Sequence, residues 1–241
     1  LAFTLALSMP SADAAWLAPF SRGLLALADA HGCELVGGDT TRGPLNICIT
    51  AFGEVPQGQA LLRSGAQAGD DIYVSGSLGD ARLALEVFRG TVSVPAQAFE
   101  RARARMEQPT PRIALGLALR GIASAAIDVS DGLLGDLGHI LRQSAVGARI
   151  DTAAAMDLME TADALPASLR LEYVLAGGDD YELVFTAATA RRQAVLAAAA
   201  AAGVRVSRIG CIDALPGVRL LDATGQDIAN RFSSFDHFVS P

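Results

Sequence analysis

Lysine is absent from this chain: all 19 of its basic residues are arginine. Chemistry that needs a lysine amine, such as Schiff-base formation or the lysine of a Walker-type phosphate loop, is therefore excluded. Any phosphate must be met by arginine, backbone N–H groups or metal. Cysteine is scarce as well. Cys33, Cys48 and Cys211 are odd in number, widely spaced and without a C-x-x-C pair, which predicts reduced, mostly buried thiols in a cytoplasmic protein. The three histidines, His31, His139 and His237, show no zinc spacing and no obvious serine partner, and read as packing or surface residues. Positive charge is in deficit: 26 acidic residues give a formal net charge of −7. With no basic patch visible, this argues against nucleic acid or an anionic membrane as partner. No apolar run is long enough to span a membrane.

What is present suits a folded enzyme-sized chain. With 241 residues, 51% of them hydrophobic, it has enough apolar surface for one large domain or two unequal ones. The opening LAFTLALSMPSADA has the look of a short signal sequence but lacks a basic start. It reads better as a buried strand, Ala2–Met9, ended by Pro10, with Ser11 opening a helix that runs to Ala30. GGDTTRG, residues 37–43, then reads as a loop and residues 45–55 as a strand. Pro56 and Gly58 mark a boundary, giving a partial amino-terminal domain over 1–56 and a carboxy-terminal α+β domain over 57–241. In the second part, strands are expected at 71–75, 184–186, 204–211 and 218–221. Helices are expected at 82–89, 112–120 and 187–202, the last alanine-rich with Gly203 as its cap. The alternation predicts an α+β fold with mixed sheets flanked by helices.

Three acidic loops carry the chemical interest: GGDTT with Asp39, IDVSDG with Asp128 and Asp131, and GGDDYEL with Asp179, Asp180 and Glu182. Each has an ordinary explanation. Asp and Ser are favoured where a strand turns into a helix, so Ser130 could be an N-cap and the carboxylates could answer the helix dipole. Gly-Gly-Asp is a common chain reversal. The other reading is that the oxygens face outward and hold a hard divalent cation such as Mg²⁺, whose shell water and phosphate complete. Three acidic loops at one end of a sheet would repel one another unless cations or cationic ligands neutralised them.

GGDTTRGPL, LLRSGAQAGDDIYVSG, AIDVSDGLLGDLGHI, GGDDYEL and FDHF, in this order and spacing, together resemble the thiamine-monophosphate kinase family, of the aminoimidazole ribonucleotide synthetase-like superfamily. The resemblance covers nearly the whole chain. It implies a two-domain fold of that superfamily, ATP as co-substrate, several Mg²⁺ ions, thiamine monophosphate as acceptor and a cytoplasmic homodimer. It assigns Asp39 to metal and, with Gly38, to ATP; Arg63 and Ser130 to ATP; Asp128 and Asp131 to metal; Asp179 and Phe235 to the thiamine phosphate. No catalytic residue separate from these is implied. Two positions depart from the family pattern: Asp179 stands where Glu is usual and Phe235 where Trp or Tyr is usual. The family's further amino-terminal acidic ligands are not found ahead of Leu1, so negligible turnover is expected from residues 1–241 taken alone, with open sheet edges at Ala2–Met9 and 45–55. A sister synthetase such as selenophosphate synthetase shares ATP and metals but differs in acceptor, and FDHF with GGDDYEL favours the thiamine branch. A nucleotide-binding or dimerising fragment without turnover is the alternative from another class.

Overall fold

A computed structural model describes residues 1–232 and divides the chain into two compact units, Leu1–Ala60 and Leu61–Pro241. The first holds β1 (Ala2–Met9), α1 (Ala14–Ala30), β2 (Glu34–Arg42) and β3 (Asn46–Phe52). Its sheet has the order β2-β1-β3, with β1 parallel to β2 and antiparallel to β3. Strand β1 has the bounds its apolar run predicts, but it is the central strand, so of the two expected open edges only that of β3 is found and the other lies on β2. The helix begins later than expected, because the carboxylate of Asp13, and not Ser11, accepts the Ala15 N–H at 2.9 Å and caps it. The GGDTT segment is no loop: its backbone completes a ladder with β1 from Ala2↔Glu34 to Met9↔Arg42. Every residue of β2 and β3 is exposed, including Leu35, Val36, Ile47, Ile49 and Phe52.

The second unit is built on a mixed seven-stranded sheet. Its elements are β4 (Asp71–Ser75), α2 (Asp80–Phe88), α3 (Ala96–Glu107), α4 (Ile113–Ala118), β5 (Ala125–Val129), α5 (Leu133–Ser144), β6 (Gly147–Asp151), α6 (Thr152–Met156), α7 (Ala167–Ala176), β7 (Glu182–Ala187), α8 (Arg192–Ala202), β8 (Val206–Asp213), β9 (Gly217–Leu221) and β10 (Asp227–Ile228). The strand order is β10-β9-β6-β8-β4-β7-β5. Alternate residues of each strand serve opposite faces, as the pleat dictates. In β4, Ile72 and Val74 join the larger core with Leu83, Leu137, Leu158 and Val174, while Tyr73 joins the smaller one with Leu115, Leu119, Val195 and Ala198. Helices thus cover both faces, and β4 is buried along its whole length. Gly203, with φ of +62°, ends α8 as its sequence predicts, although the alanine-rich helix starts at Arg192 after a short 3-10 turn. Cys33 and Cys211 are half-buried and Cys48 is exposed, so the thiols are free but not buried as expected. No helix among the described residues is long and apolar enough to cross a membrane.

Candidate active site

Strand β5 forms one edge of the large sheet, and its burial pattern contains a single interruption. Ala125, Ala126, Ile127 and Val129 are buried, whereas Asp128 is exposed. The loop that follows turns into α5 without using Ser130 as a cap. Gly132 occupies the N-cap position, and it is Asp136, inside the first turn of α5, that accepts the N–H groups of Ser130 (2.9 Å), Asp131 (3.1 Å) and Gly132 (3.2 Å). Burial raises the pKa of Asp136 above the ordinary aspartate value, and these three backbone donors oppose that rise. The capping reading of IDVSDG therefore fails for Ser130. A residue that sequence reasoning passed over does that work, and Ser130 and Asp131 are left half-buried beside an exposed Asp128.

GGDDYEL is fastened to this loop along its backbone. The Asp179 N–H donates to the Ser130 carbonyl at 2.9 Å and the Tyr181 N–H to the Val129 carbonyl at 3.1 Å. Gly178 makes this approach possible, since a Cβ there would collide with the Ser130 carbonyl and lie 3.2 Å from Asp131 Cα. Asp179 and Tyr181 both adopt left-handed backbone conformations, with φ of +69° and +51°. In consequence the motif splits by alternate residues. Asp179 and Tyr181 are exposed, while Asp180 and Glu182 are fully buried.

The two inward acids, which the sequence places in one acidic loop with Asp179, serve the fold. Asp180 accepts the N–H groups of Gly79 (2.7 Å) and Ala81 (3.1 Å) at the start of α2. Burial pushes its pKa up to about 7, aided by the charge of Asp80 and opposed by those two donors and by Arg105. Glu182 receives Ser75 Oγ at 2.6 Å, Arg105 at 2.6 Å and a two-pronged contact from Arg112 at 2.5 and 2.6 Å. Such forked guanidinium–carboxylate contacts fix geometry as well as charge.

The outward groups gather about Tyr181. Its hydroxyl donates to Asp179 Oδ1 at 3.3 Å. Partial burial raises the pKa of the phenol, as do the negative charge of Asp179, this hydrogen bond and the charges of Asp131 and Asp128. Arg63 is exposed on a segment stitched to the same edge strand, where the Leu62 carbonyl accepts the Ala126 N–H at 2.8 Å. Ser144 Oγ, at the end of α5, accepts the N–H groups of Gly65 and Ala66, each at 3.2 Å. Asp39 lies in the other unit, on β2 opposite Ala6, exposed, with its carboxylate accepting the Thr40 N–H at 2.8 Å. Gly38 before it has φ of +148°, and a Cβ there would meet the Leu5 carbonyl of β1. Phe235 lies outside the described residues.

Among the described residues no three His, Cys, Asp or Glu side chains form a ready metal cage. The exposed Asp128 and the nearby Asp131 are hard oxygen donors of the type that Mg²⁺ accepts in pairs, with water and phosphate completing its shell. The donor chemistry fits that ion.

Comparison with known proteins identifies the family. Residues 1–55 match the AIR synthase related protein N-terminal domain and residues 67–222 the corresponding C-terminal domain. Thiamine-monophosphate kinase of Salmonella typhimurium is 41% identical over 244 residues, spanning 99% of this chain and 74% of that protein. The crystal structure of thiamine-monophosphate kinase from Stenotrophomonas maltophilia K279a superposes with a TM-score of 0.85 at 47% identity, covering 91% of this chain and 71% of that one. AaThiL complexed with AMPPCP and TMP superposes with a TM-score of 0.76 at 25% identity, over 98% of this chain and 73% of that one. With both domain matches in order and identity extending along nearly its whole length, the chain belongs to the thiamine-monophosphate kinase family.

Proposed function

We propose that this chain transfers the γ-phosphoryl group of ATP to the phosphate of thiamine monophosphate, giving thiamine diphosphate and ADP. The observation that carries this reading is the backbone join between the loop of Asp128, Ser130 and Asp131 and the loop of Asp179. It brings acids suited to a metal–nucleotide and an acid suited to an amino-bearing heterocycle onto adjoining loops. The complex of AaThiL with AMPPCP and TMP supports both ligand classes.

Phosphoryl transfer rests mainly on positioning and charge neutralisation, and needs no covalent intermediate on the protein. In this reading Asp128 and Asp131 would hold Mg²⁺, which would screen the phosphate oxygens so that one anion can approach another, and Asp39 is a metal ligand offered separately by the smaller unit. Arg63 supplies a planar guanidinium donor to ATP, the role left to arginine in a chain without lysine, and Ser130 adds a close contact to the nucleotide; Gly38 is a nucleotide contact offered separately by the smaller unit. Asp179 meets the cationic or amino-bearing ring system of the acceptor, and Phe235 offers it a stacking face. The free cysteines support a cytoplasmic setting, where thiols stay reduced. The exposed Ile47, Ile49 and Phe52 of β3 support pairing of two copies through the smaller sheet.

The test is a single-turnover experiment with the chain in excess over γ-labelled ATP, so that even slow transfer is read. With Mg²⁺ and thiamine monophosphate present, label is expected in thiamine diphosphate, against the negligible turnover first expected of residues 1–241. Bound ATP with no labelled thiamine diphosphate would reduce the chain to a nucleotide-binding module.

A further inference from the structure

Tyr181 is hard to explain as scaffold. The residue is 48% exposed and belongs to neither core cluster. Its backbone is left-handed, a conformation that an L-residue with a bulky ring rarely adopts and that costs stability unless the surroundings impose it. The surroundings do impose it here: the bonds from Asp179 N–H to Ser130 and from Tyr181 N–H to Val129 hold both ends of the turn against β5. The outcome is a phenol held outward with its hydroxyl on Asp179 Oδ1 at 3.3 Å. A carboxylate on an exposed loop otherwise samples several rotamers, and a donor fixed to the same loop restricts them.

We propose that Tyr181 is a positioning residue for the acceptor substrate: through its hydroxyl it orients the Asp179 carboxylate that receives thiamine monophosphate. The inference rests on the functional reading above and deepens it by naming a residue that acts through Asp179. A second consequence is that its effect belongs to the acceptor and not to the nucleotide, because the hydroxyl engages the acid assigned to the acceptor.

The experiment titrates thiamine monophosphate and, separately, Mg-ATP into the wild-type chain, Tyr181→Phe, Asp179→Asn and the double variant, by calorimetry. Loss of one hydrogen bond predicts that Tyr181→Phe weakens thiamine monophosphate binding by about threefold to tenfold, with Mg-ATP affinity and melting temperature unchanged. In the Asp179→Asn background the same substitution should add almost nothing, since the carboxylate through which it acts is gone. Tyr181→Gly, which the left-handed backbone accepts, should keep the melting temperature and lose at least as much acceptor affinity. Wild-type acceptor affinity in Tyr181→Phe would overturn the inference, as would an undiminished effect in the Asp179→Asn background or a parallel loss of Mg-ATP binding. A wild-type chain that binds no thiamine monophosphate would overturn the functional reading itself, an outcome distinct from the preceding three.

Discussion

Asp179 and Asp180 are neighbours in the chain and differ in almost everything the fold decides. One is exposed, with a tyrosine hydroxyl as its hydrogen-bond partner, and the other is fully buried on two backbone donors. The same division separates Tyr181 from Glu182 one step later. A run of acids in a motif is therefore two populations: those facing water, which are available to a ligand, and those facing the core, which hold the loop in the shape that presents the first. The geometry that separates them is local. Two left-handed residues alternate with two ordinary ones, and Gly178 allows the turn to sit against Ser130.

The largest expected effect comes from breaking the inward side. Glu182→Ala would leave Arg105 and Arg112 packed together without their counter-charge. Losing one partner of a buried ion pair costs about 3–5 kcal/mol, and urea unfolding should report a loss of that size. Wild-type stability in this variant would place Glu182 among the ligand-facing acids and erase the comparison.

Asp180 sharpens the comparison through pH. Its folded pKa, about 7, lies above the unfolded value. Between roughly pH 4 and that value the native state thus holds a proton that the unfolded chain has released. Native protons in excess mean that stability falls as pH rises, so this contribution is fully present at acid pH and is lost as pH passes upward through the folded pKa. Asp180→Asn has no proton to lose, and its unfolding free energy should decline less than the wild type's between those limits. Parallel pH profiles for the two proteins would show that Asp180 is already ionised in the fold.

A smaller effect on stability and a larger one on ligand are expected outside. Asp128→Asn should change unfolding free energy by no more than about 0.5 kcal/mol, as for most surface substitutions. It should weaken Mg-ATP binding by at least the roughly 10- to 100-fold lost when supporting residues of metal sites are removed. Unchanged Mg-ATP affinity by calorimetry would remove Asp128 from the proposed metal shell.

How much of this was legible beforehand varied with the kind of signal. Strand β1 was read to the residue because apolar side chains and a closing proline both mark it. GGDTT was misread as a loop because β2 owes its extended form to a main-chain ladder with β1, and its side chains are all exposed and leave no burial pattern. Helix α3 was missed for a related reason, since among its residues only Ala98 and Ala102 are buried. At the site, the turns of IDVSDG and GGDDYEL were visible as loops, but composition does not say which oxygens face water. Asp136 was invisible as a cap because it reaches back four to six residues to a turn that exists only once the loop has folded. Asp180 and Glu182 were grouped with Asp179 because sequence adjacency hides the two-residue alternation that sends them to opposite sides.

The central claim is that Asp179 faces the acceptor while its buried neighbours only hold it there. Titrating thiamine monophosphate into Asp179→Asn by calorimetry tests this most directly. A hydrogen bond to a charged group contributes about 1.5–3 kcal/mol, so the account predicts an affinity loss of about tenfold or more with the melting temperature of the wild type. Wild-type affinity for thiamine monophosphate in that variant would contradict it.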